Sequence, residues 1–362
     1  MRIIVASRGR SHLLDCAREL QNKGYDIVFY CMTKPGNMKK YSFHGKATNM
    51  IYIMFPFYFL ARIWHGGFIQ RICDTLLDFF VSLIMPRCDV FIAQSPNYAY
   101  SMKKAKKMGA TLILDRGSSH VRKFNTLNQL NGTAQQNENY QKRDERMYTE
   151  VDYITIASTF VKNGFIEYGF PNFKLFVNPY GVSLEKFHPT VCTNEYDAII
   201  VGQWSKRKGH ELVVKAFKDS DYKILHVGSI TDYPFPEYSN FTHIDSVPES
   251  ELINYYSRSK VFLFPSYEDG FGLVLLQAAA CGLPIVCSSN CGGPTLKRML
   301  SEKDYIYEMK ELSKEELIKG FENQLNKNQT NQLRNYAEKD LDKFSWKAYG
   351  KRYDEFLKTI RK

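Results

Sequence analysis

The stretch Pro265-Ser-Tyr-Glu-Asp-Gly-Phe-Gly-Leu-Val-Leu-Leu-Gln277-Ala-Ala-Ala-Cys-Gly-Leu-Pro-Ile-Val286 decides the fold. The run before it, Val261-Phe-Leu-Phe264, is apolar at every position, as expected of a strand covered on both faces in a parallel sheet. Pro265 ends that strand. Gly270 and Gly272 let the chain turn and leave backbone N–H groups uncovered, and a helix beginning near Phe271 adds its own unpaired N–H groups and the positive end of its dipole. Gly282-Leu-Pro284 closes the helix and returns the chain into Ile285-Val286, a strand-helix-strand unit. A phosphate is the natural guest of such a turn. An ordinary crossover in an α/β domain has the same spacing.

Outward from this unit the pattern repeats. Strands are expected at Arg2–Ala6, Asp26–Tyr30, Val90–Ala93, Thr111–Leu114, Tyr153–Ala157 and Phe173–Val177, with helices at about Ser11–Lys23, Tyr98–Met108 and Tyr140–Glu150 between them. A second alternation runs through Asp197–Val201, Tyr222–Val227, Thr242–Ile244, Val261–Phe264 and Ile285–Val286. Asn178-Pro-Tyr-Gly-Val-Ser183 and the polar residues to Glu195 read as the linker. At 362 residues the chain is too long for one ordinary core. The reading is α/β, two facing doubly wound Rossmann-like domains whose cleft takes ligands at the carboxyl ends of the strands. Lys314–Asn331 is expected to be a solvated helical region, and Asn125–Asn139, rich in Asn and Gln, a mobile loop.

Lys and Arg number 49 against 38 Asp and Glu, a net charge of +11 that favours anionic partners: nucleotide diphosphates, anionic lipid or nucleic acid. Nucleic acid ranks last, because no zinc-finger spacing, RNA-recognition signature or concentrated basic tail is present. The eight cysteines form no Cys-x-x-Cys pair, which points to free thiols in a reducing compartment, and no structural metal is expected. Met1–Ala6 reads as a buried strand rather than a signal peptide, so the cytoplasm is the expected location. Ile51–Ala61 is apolar or aromatic throughout, yet it is too short to span a bilayer and contains Pro56. Its faces and those of Phe68–Met85 suit core packing or, aided by Lys39, Lys40, Arg62 and Arg71, contact with a membrane or a lipid-linked acceptor.

In Val201-Gly-Gln-Trp-Ser-Lys-Arg-Lys208-Gly209, a glycine follows a buried strand and a Lys-Gly step stands where a helix begins. Lys208 then faces the same crevice as the 269–272 turn. An ammonium about 4 Å from a diphosphate oxygen contributes about 4 kcal/mol before desolvation. A solvated basic loop is the plainer alternative. Ser7-Arg-Gly-Arg-Ser-His12 follows the first strand, where Gly9 leaves backbone N–H groups open to a phosphate or an acceptor, while Arg8 and Arg10 taken singly read as exposed charges.

The 265–286 stretch resembles the signature of retaining family-4 glycosyltransferases of the GT-B fold, which transfer sugars from nucleotide diphosphates. The family's two glutamates correspond to Asp269 and Gln277, and its Gly-Arg-x-x-x-x-Lys-Gly to residues 202–209, with Gln203 in the arginine slot and Lys208 matched. Leu114-Asp-Arg-Gly-Ser-Ser-His120 resembles an element whose histidine lies beside the donor sugar, and Ser7–His12 resembles the family's glycine loop with one glycine, Gly9, for two. The resemblance implies catalytic roles for Asp269, His120 and Lys208. It implies donor contacts from Gly9, Gln203, Lys208, Glu268, Gly270, Phe271, Gly272, Leu273 and Gln277, with no metal and no cofactor beyond the nucleotide-sugar. It also implies an acceptor domain of residues 1–182 joined by a closing helix at about 345–362, a donor domain of 183–344, and a glycan or lipid-linked acceptor. The departures at 203, 269 and 277 leave open a catalytically silent binding or scaffold relative, and an epimerase or phosphorylase on the same plan ranks below it.

Overall fold

The computed structural model describes residues 1–9, 11–32, 42–63, 67–95, 97–190, 193–328 and 340–360. Arg10, Lys39 and Lys40 lie outside these residues, as do the side chain of Arg62 and the end of the polar stretch at 329–331. In chain order the first half contains β1 (Arg2–Ala6), α1 (His12–Asn22), β2 (Asp26–Cys31), β3 (Lys46–Asn49), α2 (Ile51–Ile63), α3 (Gly67–Ile84), β4 (Val90–Gln94) and α4 (Ala99–Lys107). It continues through β5 (Thr111–Arg116), α5 (Val121–Leu130), α6 (Glu138–Glu150), β6 (Tyr153–Ile156), α7 (Thr159–Glu167) and β7 (Leu175–Val177). Its strands form one parallel sheet in the order β3-β2-β1-β4-β5-β6-β7.

The second half contains β8 (Tyr196–Val201), α8 (His210–Phe217), β9 (Ile224–Val227), β10 (Phe241–Ile244), α9 (Leu252–Ser257), β11 (Ser259–Phe264) and α10 (Leu273–Ala280). Then follow β12 (Ile285–Cys287), α11 (Gly293–Met299), β13 (Ile306–Glu308), α12 (Lys314–Asn328) and α13 (Trp346–Thr359). The second sheet, again parallel, has the order β10-β9-β8-β11-β12-β13. In each sheet the first strand of the half sits between strands reached in opposite directions. That is a topological switch point, where a crevice opens beyond the carboxyl ends.

The apolar runs become strands because both faces are covered. In β1, Ile3 and Val5 pack with Leu13, Leu14, Ala17 and Leu20 of α1, whereas Ile4 and Ala6 face Met54 of α2 and Cys73, Leu77 and Val81 of α3. Ser11 caps α1 by accepting the Leu13 N–H at 3.2 Å. The last helix crosses back: Tyr349, Tyr353 and Leu357 of α13 share a core with α1, and Tyr25 donates to Asp354 at 2.6 Å. Arg352 fixes the chain crossing by donating to Asn178 Oδ1 at 2.8 Å and to the Pro179 carbonyl at 2.7 Å.

Two edge strands, β3 and β13, have no counterpart in the sequence reading; the first is largely exposed and the second has only three residues, so neither shows an apolar run. The Asn-rich stretch 125–139 is not the expected mobile loop. Its first part is α5, and its asparagines bond locally: Asn128 is buried and donates to the Phe124 carbonyl at 2.7 Å, and Asn125 exchanges bonds with Gln136 at 3.0 and 2.8 Å. Among the described residues no helix is long and apolar enough to cross a membrane. Some of the apolar side chains described in the 51–85 segment are nonetheless outside the core: Tyr52, Phe55 and Phe59 of α2 and Phe79 and Leu83 of α3 are exposed.

Candidate functional site

Strands β8 and β11 are neighbours, so the loops leaving their carboxyl ends meet. The first carries Lys206–Lys208 as a single 3₁₀ turn, the second Pro265–Gly272. The Tyr267 N–H donates to the Arg207 carbonyl at 2.9 Å, and Lys208 forms an ion pair with Asp269. Burial opposes the charge on Asp269, but the Lys208 ammonium and the Phe271 N–H, which donates to Oδ1 at 3.0 Å, hold its carboxyl below the ordinary range. Lys208 also lies 5.2 Å from the centre of the Phe264 ring. The loop is braced from below by Trp204, fully buried and stacked on His210 at 4.4 Å, and by His226, whose Nε2 donates to the Gly202 carbonyl at 2.8 Å. Burial pushes His226 down to about 4, so it is neutral near pH 7.

Helix α10 starts at Leu273, two residues beyond the expected start, with Gly272 as its cap at φ +81°, a conformation that favours glycine. Leu273 and Val274, whose N–H groups have no intrahelical partner, line a cavity of about 790 Å³ between the two lobes. The helix mouth is therefore open to the cleft. Gln277, one turn further, lines the same cavity and accepts from the Tyr256 hydroxyl at 3.0 Å. Ser11, His12, Asp15 and Arg18 of the first lobe form the opposite wall, with Trp346 of α13.

The other end of the turn touches the first lobe directly. Glu268 is buried, and its Oε1 accepts from Ser119 N at 3.1 Å and Ser119 Oγ at 2.8 Å while Oε2 meets Arg207 at 3.2 Å. Ser158 donates to the Gly270 carbonyl at 2.5 Å, and a Cβ on Gly270 would stand 1.9 Å from the Gly117 carbonyl oxygen. Only glycine permits that approach. The Ser119 turn is itself fixed by Arg116, which donates to the Ser119 carbonyl at 3.1 Å and pairs with buried Asp144 at 2.5 Å.

The structure thus brings together Lys208, Glu268, Asp269, Gly270, Phe271, Gly272, Leu273 and Gln277. His120 is next to Ser119 but turns elsewhere: its ring caps α5 by accepting the Arg122 N–H at 3.3 Å and stacks on Tyr168 at 4.8 Å, beside Tyr148 and Phe165. Burial pushes His120 down to about 4. Gln203 is exposed, and Gly9 lies in the loop after β1 with no atom within 4 Å of where its Cβ would be. Sequence reasoning missed Ser119, Ser158 and the His12–Asp115 pair, which are joined only by the fold. The nearness of Asp115, at the end of β5, and Ser119, in the loop after it, to His120 was the available signal. Among the described residues no cluster of His, Cys, Asp and Glu suited to a metal ion occurs.

Residues 184–340, the span that contains Lys208, Asp269 and α10, match the family of glycosyl transferases group 1. The match spans somewhat less than half of the chain. Among curated proteins the chain is 28% identical over 162 residues to the D-inositol 3-phosphate glycosyltransferase of Paenarthrobacter aurescens, covering 37% of this chain and 39% of that one. It is 40% identical over 47 residues to the O-antigen chain mannosyltransferase B of Escherichia coli, 13% of this chain and 12% of that one. The chain thus matches well under two thirds of the length of these relatives. Solved structures extend the likeness to the whole fold. The sucrose-phosphate synthase of Thermosynechococcus elongatus superposes with a TM-score of 0.67 at 14% identity, over 99% of both chains. Anabaena HepE, in complex with UDP and glucose, superposes with a TM-score of 0.68 at 12% identity, over 99% of this chain and 100% of that one. The fold is that of the GT-B glycosyltransferases.

Proposed function

We propose that the chain is a retaining glycosyltransferase that moves a sugar from a nucleotide-diphosphate donor to a glycan or lipid-linked acceptor in the assembly of a cell-surface polysaccharide. One observation carries the reading: the Lys208–Asp269 pair stands beside a helix mouth that opens into the cavity between two switch-point sheets. The UDP complexes of structural neighbours and the polysaccharide enzymes among the sequence relatives support the donor class and the setting. In this reading residues 183–344 hold the donor, and residues 1–182 with the closing helix at about 345–362 hold the acceptor.

The diphosphate takes the N–H groups of Gly272, Leu273 and Val274 and the ammonium of Lys208, so that charge building on the departing group is met without a metal. Asp269 turns from Lys208 to the sugar hydroxyls, Gln277 holds the ribose by hydrogen bonds, and Gln203 and Gly9 close on the phosphates. His120, locked in its aromatic cage, fixes the 117–120 turn over the sugar. The acceptor oxygen attacks C1 on the face the nucleotide leaves; the C1–O bond breaks with its electron pair going to the diphosphate, which also takes the hydroxyl proton. A peripheral membrane contact at the inner face, made by the acceptor lobe, belongs to this reading, and the exposed rings of α2 and α3 support it.

Calorimetry and turnover with UDP-glucose, UDP-N-acetylglucosamine and GDP-mannose test the reading. Lys208→Ala is expected to lower kcat/KM for donor turnover by about 100-fold. An unchanged value removes Lys208 from the clamp, and a wild-type chain that binds none of a full donor panel leaves a scaffold protein instead.

A further inference from the structure

His12 and Asp115 have no part in the donor site proposed above. His12 is the first residue of α1, directly after the loop that leaves β1; Asp115 lies one residue before the end of β5. The fold brings them together over 103 residues of sequence, with His12 Nε2 at 2.7 Å from Asp115 Oδ1. The carboxylate's other oxygen accepts from the Thr155 hydroxyl at 3.0 Å. Both side chains are nearly enclosed, 8% and 4% exposed, yet His12 contributes to the first-lobe wall of the interlobe cavity. Its ring lies tilted against Tyr180 at 4.2 Å, and Tyr180 meets Phe271 edge-on at 5.3 Å. One aromatic ring therefore separates this pair from the turn that carries Asp269.

The pairing fixes the tautomer. A carboxylate only accepts, so Nε2 carries the proton, and in the neutral ring Nδ1 keeps its lone pair. Tying the start of α1 to the end of β5 needs one donor, which a glutamine or lysine supplies as well. An imidazole adds a second nitrogen, on a residue that lines the cavity opposite α10, and that nitrogen is a hydrogen-bond acceptor held in a set orientation by Asp115.

We infer that the His12–Asp115 pair is the seat of the attacking acceptor hydroxyl. The inference rests on the transferase reading and deepens it by naming the site and the ligand group, an alcohol of a sugar or lipid-linked sugar. The acceptor O–H donates to His12 Nδ1, which turns an oxygen lone pair toward the anomeric carbon across the cleft. As the new O–C1 bond forms, the C1–O bond to the diphosphate breaks with its electron pair, and the acceptor proton moves to His12 Nδ1 and is handed on from there to the departing diphosphate. His12 ends the cycle as it began it. Water, small and unanchored, needs no such seat, so hydrolysis of the donor does not depend on it.

The test separates the seat from the structural tie. His12→Gln places an amide N–H where Nε2 stands, keeping the bond to Asp115 while removing the Nδ1 acceptor. With UDP-glucose, UDP-N-acetylglucosamine and GDP-mannose as donors and octyl glucosides and mannosides as acceptors, the variant is expected to lose about 100-fold in transfer kcat. Donor hydrolysis should stay within about twofold and Tm within about 2 °C. Transfer at the wild-type rate, or a parallel fall in transfer, hydrolysis and Tm, overturns the assignment. A second readout needs no acceptor: ¹⁵N NMR of the wild-type His12 ring must show Nε2 protonated and Nδ1 bare, and the opposite tautomer overturns it. A wild-type chain that binds and cleaves no donor defeats the transferase reading itself and takes this inference with it.

Discussion

Removing the Glu268 carboxylate tests how the two lobes are held together. That group is 1% exposed and takes the Ser119 N–H at 3.1 Å, the Ser119 hydroxyl at 2.8 Å and Arg207 at 3.2 Å. Ser119 belongs to the first lobe and Arg207 to the second, so one side chain joins both. Arg207 is 30% exposed, which screens its share and leaves the two Ser119 bonds dominant. A hydrogen bond to a charged group contributes about 1.5–3 kcal/mol, and stripping one partner from a buried charged set costs about 3–5 kcal/mol. Glu268→Ala is therefore expected to cost about 3–4 kcal/mol. Glu268→Gln keeps an oxygen for Ser119 but turns an amide N–H toward Arg207, for about 1–2 kcal/mol. Urea unfolding followed by fluorescence measures both, and small-angle scattering should show a larger radius for the alanine variant. Ser119→Ala completes a double-mutant cycle, with an expected coupling of about 1 kcal/mol or more. Coupling below about 0.3 kcal/mol, or an alanine cost below about 0.5 kcal/mol, would refute the interlobe tie.

Gly270→Ala places a methyl 1.9 Å from the Gly117 carbonyl oxygen and 2.8 Å from Ser118 Cα, so the lobes must part and the Ser158 bond to the Gly270 carbonyl must break. Donor turnover should fall at least about tenfold with scattering that reports a more open molecule, and a closed, fully active variant contradicts the close approach. His226 is buried and pushed down to about 4 from its ordinary 6.5, so the unfolded chain binds a proton the folded one refuses. Its contribution is present in full above about pH 6.5 and is lost as pH falls toward 4, about 3 kcal/mol in all. His226→Gln, which keeps a donor for the Gly202 carbonyl, should flatten the fall of Tm over that window; an unaltered slope assigns it elsewhere.

How much was legible in the sequence follows from where the information resides. The strands of both sheets were readable because parallel strands covered on both faces are apolar without interruption, as in Ile3–Ala6 and Val261–Phe264. The turn at 269–272 was readable because its glycines and the following helix are contiguous, although the helix starts at Leu273 because Gly272 takes a left-handed conformation. β3 was not, since an exposed edge strand with Lys46 and Thr48 has no apolar signature. The Asn-rich stretch misled because composition records polarity and not the local bonds that Asn125 and Asn128 make. Within the site, Lys208 and Asp269 were each marked by motif and local chain, whereas the Ser119–Glu268 and His12–Asp115 contacts span 149 and 103 residues and exist only once the sheets are assembled. His120 shows the converse: a correct position at a strand's carboxyl end does not say which way a ring turns.

The return of α13 onto α1 has a consequence for how the chain is made. The apolar stripe Leu13, Leu14, Ala17 and Leu20 of α1 is completed by Tyr349, Tyr353 and Leu357, residues that leave the ribosome long after it. At about 5–20 residues per second, the stretch from β7 to α13 takes roughly 10–40 s to synthesise. Through that interval the half made earlier must wait with an oily seam uncovered, so its maturation is sealed only once α13 has been made.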